Sequence, residues 1–243
     1  MDKDREGLMK RYLQEAENWT SHLQHTKDQI LQAANKITHK DTCVVLGSGW
    51  WLDLPVETLH DTFQRLIFID ISHPKQRRHK ALKFPKMELL TVDITGVLES
   101  LQKTKKIDSE FIDRIKIPDF NFGLPQGQSP DFVVSANLLS QLACFPLGYA
   151  LRKRKISGEH TAALQKKIEE NHLALLPAGK TCLIVDYYQY AYTFSGKPAE
   201  EEPRILCSLP NVPIEKEWIW NFDMSGNYKT ARKIKFKVKA MYV

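Results

Sequence analysis

Two glycines and an acidic residue supply the first legible chemistry in this sequence. Gly47-Ser48-Gly49 follows the apolar run Thr42 to Leu46, and Asp70 ends the run Leu66-Ile67-Phe68-Ile69. Glycines after a strand let the backbone turn tightly and approach a ligand, and the N–H groups of a following helix can receive a carboxylate. An aspartate at the next strand end can accept two hydrogen bonds from a ribose diol, and its separation from the glycines fits the roughly 20-residue spacing of nucleotide-binding folds. A turn and a helix cap are the plain structural readings of the same residues, and it is their shared order that favours a ligand.

Other groups could act on a substrate. Asn137 with Ser140 and Gln141 offers hydrogen bonds after the run Asp131 to Val134, and Asp186, Tyr187 and Tyr188 follow the run Thr181 to Val185. Asn137, Asp186 and Tyr187 are the catalytic candidates, with a cap and packing aromatics as the alternative for the last group. His73, close behind Asp70, is of a residue type that can act as a base, but it has no partner legible in sequence. Arg152-Lys153-Arg154-Lys155 could steer an anion or simply be a solvated loop. Cys43, Cys144, Cys182 and Cys207 lack CxxC spacing and neighbouring histidines, so buried thiols are expected and no metal site.

The elements that must position these groups alternate along the chain. Short buried runs at Thr42 to Leu46, Leu66 to Ile69, Leu89 to Val92, Asp131 to Val134 and Thr181 to Val185 are separated by helix-compatible segments, the βαβ pattern of a parallel sheet. His160 to Leu176 reads as an amphipathic helix stopped by Pro177-Ala178-Gly179. Near the end, Ile234, Phe236, Val238, Ala240 and Tyr242 alternate with lysines, which predicts a half-exposed antiparallel strand. Lys103 to Ser129, rich in charge, Pro and Gly, reads as a surface excursion. Ahead of all this, Leu8, Tyr12, Ala16, Trp19 and Leu23 form one helical stripe, and Thr26 with Gln29 resembles a capping box that starts a second helix.

Four signatures in order resemble the class I S-adenosylmethionine-dependent methyltransferases: Val44-Val45-Leu46-Gly47-Ser48-Gly49, Phe68-Ile69-Asp70, Pro130-Asp131-Phe132-Val133-Val134-Ser135, and Leu175-Leu176-Pro177-Ala178-Gly179-Lys180. The resemblance covers roughly Asp41 to Tyr190. It implies an α/β, Rossmann-like methyltransferase fold: a mostly parallel seven-stranded sheet with an antiparallel C-terminal strand, helices on both faces, and an N-terminal helical extension. Residues 1–40 would be that extension, a lid or packing element, and 41–243 the Rossmann-like domain. The implied cofactor is S-adenosylmethionine. Gly47, Ser48 and Gly49 would cradle its methionine portion, Asp70 and Ile71 its ribose, Asp93 and Ile94 its adenine. Ser135, Ala136 and Asn137 would lie beside the methionine end and the transferable methyl group.

This chain departs from the family pattern at two places. Val45 stands where an acidic residue is common, and Trp51 where a third glycine is common. Trp50 and Trp51 could cover a ligand or fill its space. The implied reaction is methyl transfer to a small molecule or protein group. The alternatives are a noncatalytic scaffold with this fold, a nucleic-acid-binding module, and an NAD-dependent oxidoreductase, the last weakened by Leu52 at the third glycine position of its fingerprint.

Composition bounds these readings. With 243 residues, 42% hydrophobic and 26% charged, the chain suits one substantial core. It has no apolar run of the roughly 20 residues a membrane helix needs, and its charged start does not resemble a secretory signal, so a cytoplasmic protein is expected. The net charge of +6 leaves nucleic acid as a less favoured partner, and the helical stripe could serve a homodimer.

Overall fold

The computed structural model describes residues 2–229 and 231–243, with side chains from Gly7 onward. The strands are β1 (Thr42–Leu46), β2 (Arg65–Asp70), β3 (Met87–Thr91), β4 (Phe132–Ala136), β5 (Thr181–Tyr192), β6 (Pro198–Pro203), β7 (Ile214–Asp223) and β8 (Lys233–Tyr242). They form one eight-stranded sheet in the order β3-β2-β1-β4-β5-β8-β7, with β6 paired separately to β5. β1 to β5 run parallel, and β8 is antiparallel to both β5 and β7. This is the Rossmann-like methyltransferase fold that the sequence predicts, with β6 as an added eighth strand.

The inner parallel strands are buried on both faces, which is why they read as continuous apolar runs. One layer of core joins Val45, Phe68, Val134 and Ile184 to Trp19, Ile30 and Phe63. The other joins Val44, Ile67, Val133 and Leu183 to Leu101, Phe111, Leu164 and Ile168. Helices α2 (Val56–Thr62), α3 (Lys75–Ala81), α4 (Leu98–Lys103), α5 (Ser109–Asp113), α6 (Cys144–Arg152) and α7 (Gly158–Leu175) connect the strands.

The N-terminal region, α1 (Asp2–Lys36), is two helical segments run together across a kink, so the expected pair is present but its junction is not at Thr26. Thr26 and Gln29 are buried inside it and start nothing, because Trp19, Ile30, Ala33 and Ala34 dock a continuous stripe on the sheet. The break falls earlier, at Glu15, whose backbone leaves helical geometry. Its buried carboxylate accepts from the Ser225 backbone N–H, 3.0 Å away, and from the Asn18 amide at 2.8 Å.

Two further expectations are corrected. β5 continues through Asp186, Tyr187 and Tyr188 to Tyr192, paired to β8 along its length, so those residues lie within a strand rather than after one. The segment after α4 is pinned rather than loose: Phe111, Ile112, Ile115 and Leu124 are buried in the second core layer. Cys43, Cys182 and Cys207 are buried thiols, and Cys144 is exposed. Among the described residues no helix is long and apolar enough to cross a membrane, and no cluster of His, Cys, Asp or Glu could hold a metal ion.

Candidate functional site

A cavity of about 260 Å³ opens at the carboxyl ends of the parallel strands. Such sheet ends, where strand order reverses, are where open α/β folds collect ligands. From β1 come Gly47, Ser48 and Gly49, from β2 Asp70 and Ile71, from β3 Asp93 and Ile94, and from β4 Ala136 and Asn137. Ser135 is the exception. It is fully buried, with its hydroxyl 2.9 Å from His172 Nε2 on α7, and it does not line the cavity.

Local sequence explains the loop after β1. Gly47 and Gly49 take left-handed backbone angles, φ 67° and 51°, that disfavour side chains. A Cβ on Gly47 would stand 2.5 Å from a methyl carbon of Leu138, whose side chain would have to move to admit it. Trp51, at the third family position, is itself left-handed with φ 59°. It makes this turn without glycine because its indole is 95% buried: the ring meets Phe68 edge-on at 5.2 Å and lies under Arg77 at 5.5 Å. Trp51 therefore fills the core beneath the loop, whereas Trp50 lines the cavity.

The carboxylates are held differently. Asp70 Oδ2 accepts from the Gly49 N–H at 2.8 Å and Oδ1 from the Ser72 N–H at 3.2 Å, so one side chain ties together two strand ends. Asp93 braces its own loop: Oδ1 accepts from the backbone and hydroxyl of Thr95, and Oδ2 from the Leu98 N–H at 2.9 Å. A carboxylate has room for about four hydrogen bonds, so this bracing leaves Asp93 further acceptor capacity.

A group of polar residues also lines the cavity, of which the sequence points to Asn137 and to His22 of the N-terminal helix but not to Asp53. Asn137 takes a left-handed turn, φ 52°, and its Nδ2 donates to Asp53 Oδ2 at 2.8 Å. The amide also lies 3.3 Å from His22 Nε2 on α1, and His22 Nδ1 accepts from the Trp218 indole N–H at 3.1 Å. That bond makes Nδ1 the acceptor and leaves the ring proton on Nε2, so Nε2–H and the Asn137 NH2 are two donors in contact rather than a hydrogen-bonded pair. Burial, aided by nearby His25, pushes the His22 pKa down to about 3, so the ring is neutral. It stacks on Trp220 with ring centroids 3.8 Å apart. His22, Asp53, Trp19 and Trp220 all line the cavity. Asp53 follows the Trp50-Trp51 pair with nothing in its spacing to mark it, and Trp220 is brought in by the reversed strand β7.

The remaining candidates lie elsewhere. Asp186 is buried against Arg204, with Nε donating to Oδ2 at 2.8 Å, and accepts from the Ser140 hydroxyl at 2.6 Å. The Tyr187 hydroxyl donates to Glu217 at 2.7 Å, among lysines 237 and 239. Neither lines the cavity, because the extension of β5 carries them past the sheet edge where the ligand space begins. His73 is buried, its Nε2 3.0 Å from the Leu90 carbonyl, and Lys155 of the basic run donates to the carbonyls of Leu101 and Gln102.

No family model matches this chain, and no curated protein sequence matches it. Solved structures do. The N-methyltransferase NodS from Bradyrhizobium japonicum WM9, in complex with S-adenosylhomocysteine, aligns at TM-score 0.39 and 11% identity, over 89% of this chain and 86% of that one. A 1,6-didemethyltoxoflavin-N1-methyltransferase from Burkholderia thailandensis aligns at 0.39 and 9%, over 98% and 87%. The 23S rRNA methyltransferase ErmE aligns at 0.35 and 9%, over 89% and 68%. The sheet order, rather than these distant likenesses, carries the fold assignment.

Proposed function

We propose that this chain is an S-adenosylmethionine-dependent methyltransferase acting on a small molecule or a protein group. The observation that carries the reading is convergence: residues from the carboxyl ends of four parallel strands, Gly47 to Gly49, Asp70, Asp93 and Asn137, line one cavity. A scaffold with a blocked channel would need the tryptophans to fill it; Trp51 is turned into the core, and Trp50 lines a cavity that still holds about 260 Å³ beside Asp70.

The residues present suit the cofactor. The glycine loop brings backbone close to the cavity, Asp70 offers a carboxylate to a diol, and Asp93 offers one to an exocyclic amine. Ser48 Oγ and Asn137 Oδ1 are buried without hydrogen-bond partners in residues that line the cavity.

S-adenosylmethionine, when bound, supplies an electrophilic methyl carbon on a sulfonium. The chain's own task is then alignment of an in-line displacement, exclusion of water and reception of any proton the nucleophile must lose. Leu138, Leu142 and Phe145 give the cavity an apolar wall that excludes water. Asp53, held by Asn137, is the carboxylate placed to accept a proton.

The test is amide NMR of the labelled protein titrated with S-adenosylhomocysteine. Shifts should concentrate at Gly47, Gly49, Asp70, Ile71, Asp93, Ile94 and Asn137. A response confined to other regions, or an equal response to NAD, contradicts the reading.

A further inference from the structure

Asp53 is a carboxylate set into an aromatic cavity without a cation of its own. Its bonded neighbour is the neutral Asn137 amide, behind which stands the neutral His22 ring. Among the described residues no Lys, Arg or His side chain lies within ion-pair distance of it, and Lys27 on α1 acts on it only through space. Burial, with a smaller push from the nearby Asp186 carboxylate, raises the Asp53 pKa above its ordinary value, against hydrogen bonds from Asn137 and the local backbone and the charge of Lys27. A carboxylate in such surroundings is stabilised by a cation brought from outside, because burying an uncompensated charge is costly.

The walls around it specify what kind of cation. Trp50 and Phe145 are the part-exposed aromatic rings of the cavity, while Trp19 and Trp220, which meet edge to face at 4.8 Å, are buried and form its floor, one face of Trp220 being covered by His22. Aromatic faces attract organic cations and pack against apolar bodies. α1 and β7, which supply Trp19 and Trp220, contribute none of the residues assigned above to ribose or adenine. Asp53, in the loop after β1 and bonded to Asn137, lies beside the residues assigned to the methionine end, and His22 carries that corner on toward Trp220.

Resting on the methyltransferase reading, we propose that the methyl acceptor is an amine on an apolar or aromatic body, with its nitrogen held at the Asp53 carboxylate. The amine arrives as an ammonium and passes one proton to Asp53, which later releases it to solvent. The freed nitrogen lone pair forms a bond to the methyl carbon as the carbon–sulfur bond breaks. That bonding pair stays on sulfur, turning sulfonium into neutral thioether, and the product leaves as the methylated ammonium. Charge and protons balance without any further reactant.

The experiment uses the full chain and its Asp53→Asn variant, which keeps shape and removes charge. S-adenosylhomocysteine is titrated first by calorimetry, and its affinity should agree within about 3-fold between the two proteins. The saturated complexes are then screened by ligand-observed NMR with 2-phenylethylamine, tryptamine and their alcohol counterparts 2-phenylethanol and tryptophol. Amines should bind the wild type at least ~10-fold tighter than the alcohols, and Asp53→Asn should abolish that preference, the loss expected when a buried charge partner is removed.

Equal binding of amines and alcohols, or no binding of any amine, overturns the proposal. So does a loss of ~10-fold or more in S-adenosylhomocysteine affinity in Asp53→Asn, which would assign the carboxylate to the cofactor's own ammonium. A wild type that does not bind S-adenosylhomocysteine fails one step earlier, and removes the methyltransferase reading together with the proposal.

Discussion

The Gly49 amide donates to Asp70 Oδ2 over 2.8 Å, and this bond fastens the loop after β1 to the end of β2. The same carboxylate lines the cavity, so one side chain both shapes the loop and faces the ligand space. Neutral replacement should act on both. Asp70→Ala should weaken S-adenosylhomocysteine by about 10- to 100-fold, the equivalent of one or two hydrogen bonds to a charged group. Calorimetry checks the affinity, and circular dichroism checks that the fold persists.

Gly47→Ala should damage the same region by sterics. The added Cβ meets Leu138, and φ 67° is unfavourable for alanine. A loss of about 1–3 kcal/mol is expected from strain and overpacking, read from urea unfolding. Shortening the clashing partner in Gly47→Ala/Leu138→Ala should recover part of it, whereas full additivity of the two losses would contradict the stated contact.

The paired tryptophans should separate cleanly. Trp51 is packed on Phe68, so Trp51→Ala should cost about 3–5 kcal/mol of stability. Trp51→Gly should be milder than Trp51→Ala by about 1 kcal/mol, the reverse of the usual order, because glycine accepts φ 59° freely. Trp50→Ala should leave unfolding nearly unchanged and alter ligand affinity instead. Urea midpoints for the three variants decide this.

Two buried histidines set an acid limit. Burial lowers the pKa of His22 to about 3 and of His172 to about 4, against about 6.5 in an unfolded chain. A depressed folded value means that the unfolded state takes up protons first. Their contribution is therefore complete above about pH 6.5 and is lost as pH falls toward about 4. Each ring should add about 1.4 kcal/mol per pH unit to the slope within that window. Unfolding free energies from pH 5 to 8 test this, and His22→Gln should flatten the acid limb.

The Asp186–Arg204 pair should behave as a buried ion pair rather than as catalytic machinery. Asp186 has a fully buried side chain and Arg204 is 16% exposed, with its guanidinium also 3.7 Å from the Phe236 ring centroid. Arg204→Met should cost about 3–5 kcal/mol by leaving the carboxylate uncompensated, and adding Asp186→Asn should restore much of it. Ligand affinity should be unaffected in the double variant.

The order of the parallel strands was legible because β1, β2, β4 and β5 are buried on both faces and read as apolar runs closed by Gly, Asp or Asn. The reversed strand β8 was legible for the opposite reason, since its lysines alternate with buried Ile234, Phe236 and Val238. What local pattern misled was the continuity of elements. Thr26 and Gln29 look like a cap but are held in mid-helix by tertiary packing, and β5 runs on past Val185 because β8 and β6 continue to pair it.

At the site, residues on strand ends could be placed because a parallel sheet gathers its carboxyl ends at one edge. Ser135 went astray by the period of two: it points to the face opposite Ala136 and bonds His172 on α7. Asp53 carries no local signal, and Trp218-Ile219-Trp220 marks a strand without marking a site. Asp53 lies in an irregular loop before α2, and Trp220 reaches the cavity only because β7 packs beside α1.

The most direct test of the central claim is a calorimetric titration of wild type and Asp70→Ala with S-adenosylhomocysteine, with NAD as the control. One-site binding to the wild type, weakened in Asp70→Ala, with no heat from NAD, is the predicted result. Binding of NAD alone, or silence from both ligands, would contradict it.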